Sequence, residues 1–128
     1  MAATSTHLEV PTDGLDRSAC LGPDGSSELV SGVIGMIDGR WKLAILFRLF
    51  ERPSWRTLEL KRDLAGISQK VLTQQLRELE ADRLIDRFDL GDKLPHVEYR
   101  LSRAGAELLP VLRSMRIFAA LHQGNSIA

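Results

Sequence analysis

The sequence lacks most of what marks an enzyme, a secreted domain or a membrane protein. Its 128 residues contain one cysteine, Cys20. No intrachain disulfide can form, which suits a reducing, cytoplasmic setting. The three histidines, His7, His96 and His122, are too far apart to suggest a metal site. No apolar run approaches the roughly 18 residues that a membrane span needs. The N-terminus has no basic region followed by an apolar stretch, so no signal peptide is expected. No nucleophile–base set, metal-ligand spacing or phosphate loop is present, so neither catalysis nor a cofactor is expected.

An excess of charge of one sign is also missing: Lys plus Arg and Asp plus Glu are both 17. The balance hides an uneven placement. Residues 1–28 hold five acids (Glu9, Asp13, Asp16, Asp24, Glu28) against Arg17 alone, a balance of −4. The other 16 bases and 12 acids give residues 29–128 a balance of +4. A mildly basic body behind an acidic tail is compatible with nucleic-acid binding.

What is there is ordinary for a compact chain: 44% hydrophobic and 27% charged residues, enough for one domain with a modest core. Residues 1–26 are rich in Thr, Ser, Gly, Pro and Asp, which predicts a flexible acidic arm. Order is expected from residue 27 to residue 122, with residues 123–128 frayed. Leu29, Val30, Val33, Ile34 and Ile37 recur at helical spacing, with Ser26 or Ser27 as cap and Asp38-Gly39 as breaker. Trp41 opens a second helix, "WKLAILFRLFER", apolar almost all round and hence central, which Pro53 closes. Trp55 follows in a loop, where packing on a neighbouring helix is expected first and partial exposure second. A third helix over Thr57–Leu64 takes Thr57 as its cap and turns Leu58, Leu60 and Leu64 inward. Ala65-Gly66-Ile67 is a short turn, and Ser68 caps a fourth helix.

Beyond Leu84 the period changes from helical to alternating. Val97, Tyr99 and Leu101 alternate with His96, Glu98 and Arg100, which predicts a strand with one buried face. "IDRFDLG" is its less regular partner, and "GDKLP" supplies the reversal of a hairpin. Glu98 and Tyr99 are expected to brace this hairpin against the body. Ser102 caps a last helix to about His122, with a kink or restart expected at Pro110. The fold class is therefore mainly α with a small β-hairpin. Two helices joined by a turn of about three residues containing a glycine form a helix-turn-helix, and the hairpin after it is a wing.

The fourth helix, "SQKVLTQQLRELEAD", carries the functional signal. On a wheel of about 100° per residue, Leu72, Leu76 and Leu79 share one face, and Thr73, Arg77, Lys70 and Gln74 fall within an arc of about 100° opposite them. None of those four is acidic, and Glu78 and Glu80 lie off the arc. Lys and Arg neutralise phosphates or reach guanine, Gln pairs with adenine, and Thr touches phosphate or the thymine methyl. In a helix-turn-helix the N-terminal residues of this helix reach base edges, and its free N–H groups favour phosphate. The candidate DNA-binding residues are Ser68, Gln69, Lys70, Thr73, Gln74 and Arg77 on a recognition helix of about residues 68–82. Lys93 and His96 join them from a wing of about residues 85–101. The same polar arc could equally be a solvated face, or the surface of a winged-helix module that binds protein without DNA.

The strings "GRWKLAIL" (39–46), "GISQKVLTQQLRELEADRLIDR" (66–87) and "PHVEYRLSRAGAELLPVL" (95–112) resemble the HxlR-type winged helix-turn-helix family of bacterial transcription regulators. With the helix preceding Gly39 the resemblance covers roughly residues 27–120. It implies a small homodimer that binds double-stranded operator DNA, with the dimer built from the N-terminal helix and the long last helix. The last helix independently shows more apolar surface than one small core needs: Leu108, Leu109, Val111, Leu112, Met115, Ile117, Phe118 and Leu121. Met36, Trp41, Met115 and Phe118 are candidates for a dimer interface or for the lining of an apolar or aromatic effector site. For Trp41, core or dimer packing comes before a ligand platform.

The chain departs from the family's pattern at three places. Gln75 and His96 stand where the family often has Arg, with Lys93 as a compensating base. The family's cysteine position falls on Glu28, eight residues after Cys20. Cys20 is therefore either a plain thiol or a redox sensor of its own kind.

Overall fold

A computed structural model describes residues 16–123, which divide into two compact units, one ending at Ile37 and one starting at Asp38. In the first, α1 (Arg17–Leu21) is a single turn capped by Asp16, whose carboxylate accepts from the Ala19 amide at 2.8 Å. The flexible arm expected through residue 26 thus gives way to a helical turn from residue 17; residues 1–15 lie outside the described residues. The reason is local. The Asp16 cap, the Gly22 N–H to Ser18 carbonyl bond at 2.9 Å and the Gly25 N–H to Gly22 carbonyl bond at 2.8 Å hold the turn without a core. Cys20 lies on α1, free and half-buried.

In α2 (Ser26–Ile37), Ser26 is the first helical residue rather than the cap, and the Gly25 carbonyl accepts the first helical bond from Leu29. Leu29, Val30, Val33 and Ile34 are all exposed.

The second unit holds α3 (Lys42–Glu51), β1 (Trp55–Arg56), α4 (Thr57–Asp63), α5 (Gln69–Ala81), β2 (Ile85–Asp89), β3 (Val97–Leu101) and α6 (Arg103–His122). Ile45, Leu46, Leu60, Leu72, Leu76, Leu79 and Ile85 are its most deeply buried side chains. α3 is central, as its all-round apolar character predicts, although Phe47 remains exposed. Arg48 ties α3 to the end of α4 through Nε to Asp63 Oδ2 at 2.7 Å.

The sheet has three antiparallel strands in the order β1-β3-β2, one more than the expected hairpin. The extra strand is the two residues Trp55 and Arg56, opposite Tyr99 and Glu98. Trp55 is buried at 6% exposure and, as expected first, packs on a neighbouring helix: its indole N–H donates to the Arg48 carbonyl of α3 at 2.7 Å. The Arg52 guanidinium covers its ring at 3.7 Å.

α4 corrects two further expectations. Its start is closed by Glu59, which accepts from the Arg56 amide at 2.8 Å, so Thr57 is inside the helix rather than its cap. Leu58 points outward at 61% exposure. Residues two apart on a helix lie on nearly opposite faces, so Leu58 cannot share the side that Leu60 and Leu64 bury.

α6 runs unbroken through Pro110. Pro110 and Ala106, whose carbonyl loses its helical partner there, are both exposed, so water can satisfy that carbonyl. Ser102 caps the helix by accepting from Gly105 at 3.0 Å, and its hydroxyl donates to the Arg83 carbonyl at 2.6 Å. Gly105 lies so close to the chain after α5 that a Cβ there would stand 2.1 Å from the Leu84 carbonyl oxygen. Leu108 and Leu112 are buried, whereas Val111, Met115, Ile117, Phe118 and Leu121 are exposed. No helix among the described residues is long and apolar enough to cross a membrane.

Candidate nucleic-acid interface

α4 and α5 are joined by Leu64 to Ser68, and the joint depends on Gly66, whose φ of +90° is in the left-handed region that favours glycine. The Ile67 amide donates to the Leu64 carbonyl at 3.2 Å, and Ile67 is buried, which fixes the entry to α5. Ser68 is the cap the sequence predicts: its hydroxyl oxygen accepts from the Val71 amide at 3.1 Å. Leu72, Leu76 and Leu79 are buried to within 1%. That anchored stripe sets which side of α5 faces out.

The outward side carries the residues singled out in the sequence. Ser68, Gln69, Lys70, Gln74 and Arg77 are exposed and Thr73 is half-buried. Gln69, Lys70, Thr73, Gln74 and Arg77 line one shallow concavity with Glu78 and Ala81. Gln69 Nε2 donates to Thr73 Oγ1 at 3.2 Å. Gln75, the first departure from the family pattern, is half-buried at the flank.

Glu78 is the acid nearest this face, and it is not free. Its Oε1 lies 2.7 Å from Nζ of Lys42, a buried ammonium at the start of α3, and its Oε2 accepts from Gln74 Nε2 at 3.1 Å. Those bonds, Lys42 first and Gln74 second, hold the Glu78 carboxyl below its ordinary range.

The wing reaches the surface differently from the expectation. Lys93 is exposed in the turn between β2 and β3. His96 is half-buried, with Nε2 2.7 Å from Glu98 Oε2, so its ring is turned onto its own strand. Glu98 also accepts from the Ser54 hydroxyl and from Arg100 Nη2 at 3.2 Å. The Ser54 hydroxyl, then His96 and Arg100, lower the Glu98 carboxyl from 4.5 to about 2. The Ser54 bond and the burial of Tyr99 make the brace expected of these two wing residues.

Sequence reasoning passed over Arg56 and Arg62. Both line an open cleft with Thr57, Leu58, Pro95 and His96, where α4 meets the wing. "SWRTLELKRD" carries three bases against two acids, so its charge gave little signal, and only the pairing of β1 with β3 brings that segment, with Glu59 also on the cleft, to the wing. Among the interface or effector candidates, Met36 lies in the first unit and is half-buried. Trp41 is half-buried, and Met115 and Phe118 are exposed, in the second unit. The Arg40 guanidinium sits 4.5 Å from the Trp41 ring centre, and Phe118 packs on His122 with ring centres 4.7 Å apart.

Known proteins share this arrangement. The helix-turn-helix regulator YtcD of Bacillus subtilis is 44% identical over 93 residues, which are 73% of this chain and 73% of that protein. A helix-turn-helix regulator of Halalkalibacterium halodurans is 38% identical over 92 residues, 72% of this chain and 81% of its own. Among solved structures, a transcriptional regulator of the MarR family from Enterococcus faecalis superposes with a TM-score of 0.72 at 34% identity. That match covers 79% of this chain and 91% of the other. The redox regulator HypR in its reduced form gives 0.67 at 32% identity, over 73% of this chain and 92% of its own. The model of the HxlR-like helix-turn-helix family matches residues 36–126, which contain the helix-turn-helix, the three-stranded wing and α6. By that match and by the identity to its relatives, this chain belongs to the HxlR-like helix-turn-helix family.

Proposed function

We propose that this protein is a sequence-specific DNA-binding transcription regulator that acts as a homodimer. One observation carries the proposal. The second helix of the helix-turn-helix is held by three buried leucines and turns Lys70, Gln74 and Arg77 to solvent on the opposite side. In this reading α5 enters the major groove, where Gln69, Gln74 and Arg77 meet base edges and Ser68, Lys70 and Thr73 meet phosphates. Lys93 at the tip of the wing, with Arg56 beside it and Arg62 further along the cleft by Pro95 and His96, takes the adjacent backbone or minor groove.

A second copy accounts for the exposed apolar side chains of α2 and of the outer half of α6. It would place two recognition helices on half-sites about one helical turn apart or a multiple of it. Met115 and Phe118 lie in the stretch where a small apolar effector would act on that dimer. A second reading, a winged-helix module that binds protein and no DNA, draws on His96 being turned onto Glu98 instead of outward from the wing.

The test is a mobility-shift titration with fragments of the protein's own genome, comparing the wild type with the Lys70→Glu, Arg77→Glu double variant. The shift should disappear in the variant while its circular dichroism and sedimentation stay those of the wild type. Undiminished binding would overturn the proposal, and absence of binding by the wild type would leave the protein-binding module.

A further inference from the structure

Lys42 is in an unfavourable place for a lysine. Its side chain is 10% exposed, and it is the first residue of α3, where the helix dipole already presents positive charge. An ammonium there needs a carboxylate, and Glu78, nine residues after the Gln69 that starts α5, supplies one at 2.7 Å. A partly buried pair of this kind gives little net stability over an apolar pair of the same size, so its presence calls for another explanation. The other end of the carboxylate gives one, because Glu78 Oε2 accepts from Gln74 Nε2 at 3.1 Å.

An ionised carboxylate can only accept hydrogen bonds. Anchored by Lys42, it therefore selects one of the two orientations of the Gln74 amide, the one with nitrogen toward Glu78 and oxygen away. The second N–H and the carbonyl oxygen of that amide remain available. Where Glu78 takes the N–H trans to the carbonyl oxygen, they are the donor and acceptor that a glutamine uses together on N7 and N6 of adenine. Glu78 is held ionised in this role by the same two partners.

Building on the DNA-binding reading of α5, we infer that Lys42 and Glu78 form a positioning relay that fixes the Gln74 amide for adenine and so sets one base preference of the operator. Glu78 acts through Gln74 and touches no base itself. The charge of Glu78 repels DNA of every sequence alike, so its effect on overall affinity is separable from its effect on preference.

The experiment is binding to a randomised half-site library, sequenced to give a preference at each base pair, for the wild type, Gln74→Ala, Glu78→Gln and Lys42→Met. Gln74→Ala identifies the position that Gln74 reads. Glu78→Gln keeps the shape but lets either amide orientation of Gln74 find a partner. It should lower the adenine preference at that position by about two-fold, because only about half of the amides then present the competent orientation, against the larger loss of the whole contact in Gln74→Ala. Preferences elsewhere should stay as they were, and overall affinity should rise. Lys42→Met, which leaves the carboxylate unanchored, should relax the same position to a smaller degree and keeps the test open if Glu78→Gln folds poorly. An unchanged preference in both the Glu78→Gln and Lys42→Met variants, while Gln74→Ala relaxes it, would overturn the relay and leave the DNA-binding reading standing. A wild type without any sequence preference would overturn both.

Discussion

Trp55 and Tyr99 stand opposite each other in antiparallel register, both buried, and so join the chain just before the helix-turn-helix to the central strand of the wing. The wing is therefore built onto the body by the same two residues that bring Arg56 beside the cleft at Pro95 and His96.

Trp55→Ala should cost about 3–5 kcal/mol, the usual range for emptying a buried aromatic site. Trp55→Phe keeps one aromatic ring, gives up the other and leaves the Arg48 carbonyl without its indole donor, so a loss of about 1–3 kcal/mol, below that of Trp55→Ala, is expected. Urea unfolding of both variants checks the order. Equal losses would mean that the hydrogen bond, and not the burial, holds the wing.

Two glycines should respond differently to the same substitution. Gly66→Ala meets no neighbour within 4 Å, so its loss of about 1–2 kcal/mol comes from the positive φ alone. Gly105→Ala has an ordinary helical backbone but drives a methyl into the Leu84 carbonyl, and either that turn or the start of α6 has to move. A larger loss than at Gly66 is expected, at or above about 3 kcal/mol. Thermal melts of the pair decide it.

The Glu98 carboxyl is held at about 2 against an ordinary 4.5. A carboxyl lowered on folding contributes stability that is fully present above its unfolded value. That contribution is lost as pH falls through the folded one. Acid unfolding of the wild type should therefore draw on this group between about pH 4.5 and pH 2. Glu98→Gln should be less stable at neutral pH and lose less on acidification. Glu78, lowered in the same direction, keeps part of the acid limb in that variant. Identical acid limbs with and without Glu98 would contradict the assignment.

Under the proposed function, Arg62 and Arg77 are expected to separate phosphate binding from base reading. Arg62→Ala should weaken binding to all sequences alike and flatten the slope of log affinity against log salt by about 0.9 for each phosphate left without its cation. Arg77→Ala should in addition relax one base position by about 1–3 kcal/mol of discrimination. Salt titrations on operator and scrambled duplexes measure both.

Phe118 is 61% exposed and Met115 52% exposed on the outer half of α6. If a second copy covers them, Met115→Glu with Phe118→Glu should shift sedimentation from dimer to monomer while the helical content is kept. A wild type that already sediments as a monomer would refute the homodimer.

The sequence by itself determined the elements whose signals are local. The leucine stripe of α5, the Ser68 and Ser102 caps and Gly66 in the turn follow from periodicity and from side chains bonding to nearby backbone, and they stand in the structure as read. The strand at Val97–Leu101 forms where its alternation predicts, but only Tyr99 of the expected inner face is buried, while Val97 and Leu101 are half-buried like Glu98 and Arg100. The exposed arc of Lys70, Gln74 and Arg77 was legible for the same reason: burying one face of a helix fixes the other.

Tertiary structure decided what depends on residues far apart in the chain. A two-residue strand at Trp55 has no period to detect and exists only because β3 pairs with it. His96 reads as a free wing residue in the sequence, whereas in the fold it is held by Glu98, which Ser54 in turn anchors from the body. Whether Glu78 faces outward as a plain acid or serves Gln74 depends on Lys42, 36 positions earlier, and only the packing of α3 against α5 brings that ammonium to it.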